Sequence, residues 1–205
     1  PGTSPEIRDS RSVKITHMRR IVDNSDGHEE FGFSKAWGKD AESRFFTIIT
    51  LLAVREGYIC DYVDGLSDLR AGRVRFIGVP EDRIAEDHLR ILRFFRFHAT
   101  YAAGDPDEAS LAACHEASSL VETLSGERVW QELSRLLILA EPRSVFELME
   151  NARVLRLLLP VGRSVARLQA LAALEDMARV PAEAIRRLTS LIQPDRQESS
   201  QIATR

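Results

Sequence analysis

Apolar positions along this chain follow two different rhythms, and the change comes near residue 80. Upstream, apolar residues alternate or cluster in short runs; downstream they recur every three to four residues, the helical period. Residues 13–22 and 28–34 alternate well enough to be strands, with Asp23-Asn24-Ser25-Asp26-Gly27 as the turn between them. Residues 58–63 predict a short strand, and residues 66–69 a helical turn that Gly72 closes before Val74-Arg75-Phe76. Residues 44–54 read either way, because Thr47, Ile48, Ile49 and Thr50 favour strand. Beyond Pro80 one helix is expected over residues 80–102 and a second over 108–124. A third starts at Ser125 as N-cap with Glu127 in its first turn, and buries Val129, Trp130, Leu133, Leu136 and Leu137. Pro142 opens a helix that runs through Met149 and Ala152, Pro160 ends a segment over 154–159, and helices over 164–178 and 181–191 complete the array. The polar last dozen residues are expected to be loose.

The helix over residues 80–102 has an unusual distribution of charge. At roughly 100° per residue, Ile84, Ile91, Leu92, Phe95 and Ala99 share one face, and Arg83, Glu86, Arg90 and Arg93 share the other, with Asp87 at its margin. Phe94 and Phe97 also fall on the charged side, so the helix has no plain solvent face and its charges are expected to line a cleft. Two readings of those charges stay open. Pairs at i,i+3 and i,i+4, such as Asp87 or Glu86 with Arg90, would stabilise an ordinary surface helix by a few tenths of a kcal/mol each. A fixed Asp beside a fixed Arg could instead read the edge of a nucleotide base, the carboxylate accepting from an exocyclic amine and the guanidinium donating to a ring nitrogen or carbonyl.

Composition narrows the choice only a little. With 205 residues, 44% hydrophobic and 29% charged, the chain can bury a core in one or two domains. A net charge of −3 excludes binding of nucleic acid through bulk positive charge, so any RNA affinity has to be local. Residues 67–100 hold seven Arg, five acids and no Lys. Arg binds phosphate bidentately and stacks on bases, which suits a nucleotide or an RNA end; an Arg-rich composition of the whole chain explains the same bias. The five His are scattered without ligand spacing, and Cys60 and Cys114 stand alone, so neither zinc nor a disulfide framework is expected. Asp105-Pro106-Asp107 reads as a turn into a helix N-cap rather than a metal pair. The longest apolar run, residues 45–54, is well short of the ~20 residues a membrane span needs. Two unpaired cysteines and no signal peptide predict a cytoplasmic protein. A first residue of Pro rather than Met predicts a fragment.

Arg75-Phe76-Ile77-Gly78, Pro80-Glu81, Arg83-Ile84 and then Glu86-Asp87-x-x-Arg90-x-x-Arg93 resemble the tRNA nucleotidyltransferases that add CCA and the related bacterial poly(A) polymerases. The resemblance extends over residues 13–177, taking in residues 61–69 and Gly126-Glu127-Arg128-Val129-Trp130-Gln131-Glu132-Leu133, and it favours helix for residues 44–54. It implies an α/β remnant of a nucleotidyltransferase palm followed by an all-α neck and body, with palm over residues 1–79, neck over 80–140, body over 141–192 and a flexible tail over 193–205. By the same resemblance Asp87 and Arg90 would select the base of ATP or CTP. Glu86, Arg93, Arg96, Arg44, Glu127 and Arg128 would hold phosphate or support that helix. Magnesium would be the metal, and the tRNA 3′ end and nucleoside triphosphates the partners. A palm lacking its first strands would expose a sheet edge and allow pairing with a second copy.

The chain departs from the family pattern in several places. The Gly-Gly-x-x-Arg-Asp loop and Asp-x-Asp pair, which would serve two-metal phosphoryl transfer, do not precede Val13. No catalytic or metal-binding residue is therefore assigned in this chain. Where the family shows Arg-Arg-Asp-Phe-Thr-Ile-Asn-Ala, residues 43–50 read Ser43-Arg44-Phe45-Phe46-Thr47-Ile48-Ile49-Thr50, so Phe45 replaces an Asp and Ile49 an Asn. Ile21 stands where relatives carry an acid, and an Asp-Pro-x-Gly-Gly turn has become Asp61-Tyr62-Val63-Asp64-Gly65. These losses point to relaxed constraint. They leave three alternatives: a CCA-type protein that keeps base selection, the poly(A) polymerase branch, and a non-catalytic RNA-binding or structural remnant.

Overall fold

The computed structural model describes residues 5–8, 11–14, 40–41, 43–53, 58–160 and 162–193. Two units make up the chain, Pro1–Ser34 and Lys35–Arg205. In the first, β1 (Pro5–Arg8) pairs antiparallel with β2 (Arg11–Lys14). All but the first two residues of the hairpin expected over residues 13–34 lie outside the described residues, as does the tail beyond residue 193.

The second unit begins with a small mixed α/β part. Residues 44–54 are not the helix that the resemblance favours: a 3-10 turn over Thr47–Ile49 is followed by β3 (Leu52–Ala53), which pairs antiparallel with β4 (Ile59–Cys60). Phe46 forms an antiparallel bridge with Phe76. The Thr47 N–H donates to the Arg75 carbonyl at 3.3 Å, and the Ile77 N–H to that of Phe45 at 3.0 Å. The β-branched Thr47, Ile48 and Ile49 thus form the 3-10 turn, and the extended residues are Phe46, Leu52 and Ala53 on either side of it, held by a tertiary partner that spacing along the chain does not reveal.

Helix α1 (Gly65–Arg70) lies against that turn. A Cβ on Gly65 would come within 2.2 Å of the Thr47 carbonyl oxygen, so the approach requires glycine. The fully buried Asp68 accepts from Thr47 Oγ1 (2.7 Å), Arg73 Nε (2.8 Å) and Arg75 Nε (2.7 Å). Burial alone would raise its carboxyl; these three donors outweigh burial and hold it below its ordinary value.

A helical array follows: α2 (Pro80–Glu86), α3 (Leu89–Tyr101), α4 (Glu108–Glu116), a 3-10 turn over Ser118–Thr123, α5 (Gly126–Leu137), α6 (Arg143–Asn151), α7 (Val154–Leu158), α8 (Val165–Ala178) and α9 (Ala184–Leu191). Two short strands, β5 (Gly162–Arg163) and β6 (Ile192–Gln193), pair across the last two helices. The architecture is thus a small α/β part followed by a predominantly helical body, as the sequence implies.

Three boundaries differ from the periodicity. The helix expected over 80–102 breaks at Asp87, the helix over 108–124 becomes α4 plus a 3-10 turn, and the last helix starts at Ala184, where the Glu183 carboxylate caps it. N-caps at Ser125 and Asp107 are where the sequence puts them, and Ser164 caps α8. Asp107 accepts the Ser110 N–H and hydroxyl at 3.0 and 2.7 Å, which makes the Asp-Pro-Asp stretch a cap.

The core gathers Phe46, Phe76, Phe94 and Phe95 from the junction of the two parts, then Leu133, Leu136, Leu137, Phe146, Met149 and Leu155. Phe94, which helical spacing puts on the charged side of α3, is fully buried. Trp130 is not core as expected: it is 37% exposed, while Glu132 is buried. The buried arc of α5 centres on Leu133 and Leu136, so Trp130 falls at its margin. Glu132 is admitted on the other flank because two guanidinium groups meet it.

Candidate functional site

Pro80 at N1 and the acids Glu81 and Asp82 in the first turn start α2 where backbone N–H groups are unpaired and the helix dipole favours anions. Asp87 ends it. Its backbone is extended (φ −159°, ψ 108°), and Oδ1 accepts the Leu89 N–H at 3.1 Å, so this carboxylate stops one helix and starts the next. Asp87 therefore does not sit one helical turn from Arg90 on a continuous helix.

The two residues have separate partners. Arg128, from the first turn of α5, donates through Nη2 to Asp87 Oδ1 at 2.9 Å and Oδ2 at 3.0 Å. Arg90 donates through Nη1 to the Arg83 carbonyl at 2.8 Å and to Glu86 Oε2. Glu86 also accepts from Arg83 Nη1 at 2.9 Å. Burial alone would raise the Asp87 carboxyl; the Leu89 N–H and the Arg128 guanidinium outweigh it and keep the group below its ordinary value, so it is an anion at neutral pH. Glu86 is lowered too, chiefly by its hydrogen bond from Arg90.

Counting valences shows what is left over. A carboxylate has about four acceptor positions; the Leu89 N–H and Arg128 occupy Oδ1, and Arg128 takes one position on Oδ2. One lone pair of Oδ2 remains. The Arg90 Nε–H is buried and has no partner among the described residues. The Asp87 carboxylate is thus anchored with a spare acceptor, whereas the unpartnered Arg90 donor is enclosed in the protein.

Asp87 lines an open cleft of about 390 Å³ with Ala85, Glu86 and His88 on one side and Thr123, Leu124, Ser125 and Arg128 on the other. His88 Nδ1 lies 2.9 Å from Thr123 Oγ1 and ties the two sides together. Arg90 is not part of that lining; its guanidinium lies over the Phe45 ring, 5.3 Å from the centroid, beside that of Arg93 at 5.2 Å. Arg93 and Arg96 share the buried Glu132, on Oε1 at 3.3 Å and on Oε2 respectively, and the Arg96 guanidinium lies 4.5 Å from the Phe97 ring centroid. Both are therefore holding positions within the helix pair.

The structure brings Glu86, Asp87 and Arg128 together around the cleft, and Arg90 and Arg93 together on Phe45. Arg44 bonds Asp40 at 3.0 Å instead of joining either group, and Glu127 is exposed in the first turn of α5. Residue spacing did not identify Phe45, Thr123 or Glu132 as participants. Glu132 had a visible signal, an acid inside an apolar stripe; Thr123 had none. Among the described residues no group of three or more His, Cys, Asp or Glu could hold a metal ion. Nor is any described helix long and apolar enough to cross a membrane.

Residues 105–164 match the family described as "Probable RNA and SrmB- binding site of polymerase A". A human relative, "CCA tRNA nucleotidyltransferase 1, mitochondrial", is 38% identical over 139 residues, 67% of this chain and 32% of the relative. The "CCA-adding enzyme" of Streptococcus gordonii is 30% identical over 177 residues, 85% of this chain and 44% of the relative. Among solved structures, "The complex structure of CCA-adding enzyme with ATP" shares the fold with a TM-score of 0.64 at 20% identity, covering 82% of this chain and 43% of that one. The chain thus spans about a third to under half the length of these curated relatives.

Proposed function

The chain belongs to the tRNA nucleotidyltransferase family, and from that premise we propose that its α2–α3 junction selects the base of ATP or CTP for addition to a tRNA 3′ end. The observation that carries this reading is the unspent acceptor on Asp87 Oδ2 at the cleft; Arg90, with Nε buried and Nη1 on Glu86, would donate through Nη2. Adenine and cytosine each carry an exocyclic amine beside a ring nitrogen that accepts. A carboxylate and a guanidinium complement that order of donor and acceptor. Uracil and guanine present a carbonyl beside a ring N–H, the reverse order, and would set acceptor against acceptor and donor against donor. Rejection then comes from leaving anchored polar groups unpaired, which costs more than a missing contact.

In this reading Arg128 and Glu86 hold the two reading groups, and Arg93 and Arg96 fix α3 against α5 through Glu132. Residues 80–140 act as the neck and residues 141–192 as the body. Magnesium would serve phosphoryl transfer in the intact family; no step is assigned to it through the residues described. The tRNA 3′ end as partner follows from the family, and a second copy pairing at the palm edge belongs to the same reading. Cysteine usage supports the cytoplasm, whereas the human relative is named mitochondrial.

Calorimetry of the 205-residue chain with ATP and with CTP tests the reading. Binding heats that disappear in Asp87→Ala, with unchanged thermal unfolding, are the expected result. Identical null heats for wild type and variant would remove it. The poly(A) polymerase branch differs in admitting ATP alone, so heats with ATP but none with CTP would move the assignment to that branch.

A further inference from the structure

Phe45 stands at a position where the family pattern has an acid, and its ring meets both Arg90 and Arg93. We propose that Phe45 is a positioning residue for base selection: its ring face anchors the Arg90 guanidinium without consuming any of that group's N–H donors. The inference rests on the base-reading role given to Arg90 above.

The ring is well placed to act as a fixed platform. Its backbone carbonyl accepts the Ile77 N–H at 3.0 Å, which ties it to the segment leading into α2. The ring makes edge contacts with Phe46, centroids 4.8 Å apart, and with Phe97 at 6.4 Å. Phe46 is fully buried and packs in turn on Phe76 and Phe94. Rotation of the Phe45 ring would disturb a packed aromatic cluster, so its face stays directed at the two cations.

The chemistry distinguishes a ring from an acid at this position. A carboxylate would attract Arg90 by accepting its N–H groups, and each acceptance removes a donor from the edge that reads a base. An aromatic ring attracts the guanidinium through the electrostatic field of its face and leaves the in-plane donors alone. The Arg90 Nε–H is buried and meets no acceptor among the described residues, so the ring holds the group without engaging it, and with Nη1 on Glu86 and the Arg83 carbonyl the donors left to a base are those of Nη2. The ring meets two like charges at i,i+3, each of which also pairs with an acid, Glu86 for Arg90 and Glu132 for Arg93.

The experiment compares Phe45→Leu, which keeps bulk and loses the π face, with Phe45→Tyr, which keeps both. The first readout is the NMR signal of the Arg90 Nε–H in the nucleotide-free chain, assigned with Arg90→Lys. The second is the ratio of CTP to UTP affinities. Phe45→Leu is expected to shift the Nε–H signal, since the ring current is gone, and to narrow the CTP:UTP ratio by about five- to thirtyfold. Phe45→Tyr is expected to keep both. An Nε–H signal in Phe45→Leu at the wild-type position would overturn the inference, and so would an unchanged ratio in Phe45→Leu where Arg90→Lys abolishes discrimination. Wild-type chain that fails to distinguish CTP from UTP would overturn the base-reading role itself; the Nε–H signal then decides separately whether Phe45 anchors Arg90.

Discussion

Acids meet arginines in two places in this molecule with opposite results. At the C-terminal helix pair, Glu175 of α8 accepts from Arg186 Nε and Arg187 Nε, both at 2.6 Å. Arg187 Nη1 goes on to the carbonyls of Leu137 and Leu139, at 2.8 and 2.5 Å, at the C-terminal end of α5. The Glu175 and Arg187 side chains are 5% and 4% exposed. Both Glu175 oxygens and two Arg187 nitrogens are engaged inside the protein, and the cluster serves to lock three helices together. At the α2–α3 junction the same residue types stay 13–46% exposed, and each of the two central groups keeps a valence unspent. Identity of the residues does not separate the two places; access to solvent does, since spare acceptor positions on Glu175 are closed off inside the protein and that on Asp87 faces a cleft.

The largest expected effect lies on the locked side. Arg187→Ala leaves a buried carboxylate half-paired and two carbonyls without their donor, and should cost about 3–5 kcal/mol in urea unfolding; a loss no greater than that of a surface substitution would break the comparison. Glu132→Gln tests an intermediate case, because Arg93 and Arg96 remain partly accessible. It should cost about 1–3 kcal/mol in the same assay, with both arginines retaining a neutral acceptor.

Acid sharpens the comparison further. Folding lowers the pKa of Glu175 and Asp87, so the stability their ion pairs supply is fully present above the ordinary values of 4.5 and 3.8 and is lost as pH falls through the lowered ones. Unfolding midpoints should therefore be flat on the neutral side of those values and fall on the acid side. In Arg187→Ala the acid-side fall should shrink, whereas Arg128→Ala should leave it almost unchanged. Arg128→Ala has the smallest expected effect on stability, about 0.2–1 kcal/mol, since its pair with Asp87 is 45% and 25% exposed. Its consequence should appear in nucleotide selectivity instead, as Asp87 loses the tether that aims it.

Much of this organisation is legible in the residues, and the parts that are not share a cause. The caps at Ser125 and Asp107 and the change of rhythm near Pro80 are local signals, and the structure follows them; the burial of Phe94, which spacing puts on the charged side, is not among them. The break at Asp87 is hidden because Ile84, Ile91 and Leu92 keep helical spacing across it; only the side-chain bond to the Leu89 N–H shows why the backbone departs. Residues 44–54 turn on pairing with Arg75 and Ile77, a contact of long sequence separation. Trp130 exposed and Glu132 buried reverse an ordinary hydrophobic ranking, because Arg93 and Arg96 arrive from another helix. For the site, the sequence motif indicates Asp87 and Arg90. It does not indicate that they hold different partners, nor that Phe45 underlies Arg90.

The most direct test is a four-nucleotide panel, with equilibrium affinities of ATP, CTP, GTP and UTP for the 205-residue chain and for Asp87→Asn. Exchanging one carboxylate oxygen for an amide nitrogen keeps the shape and turns an acceptor into a donor. The account predicts that wild type prefers ATP and CTP, and that Asp87→Asn loses this preference by at least about tenfold without a comparable loss of stability. Four equal affinities in the wild type, or a preference unchanged in Asp87→Asn, would contradict it.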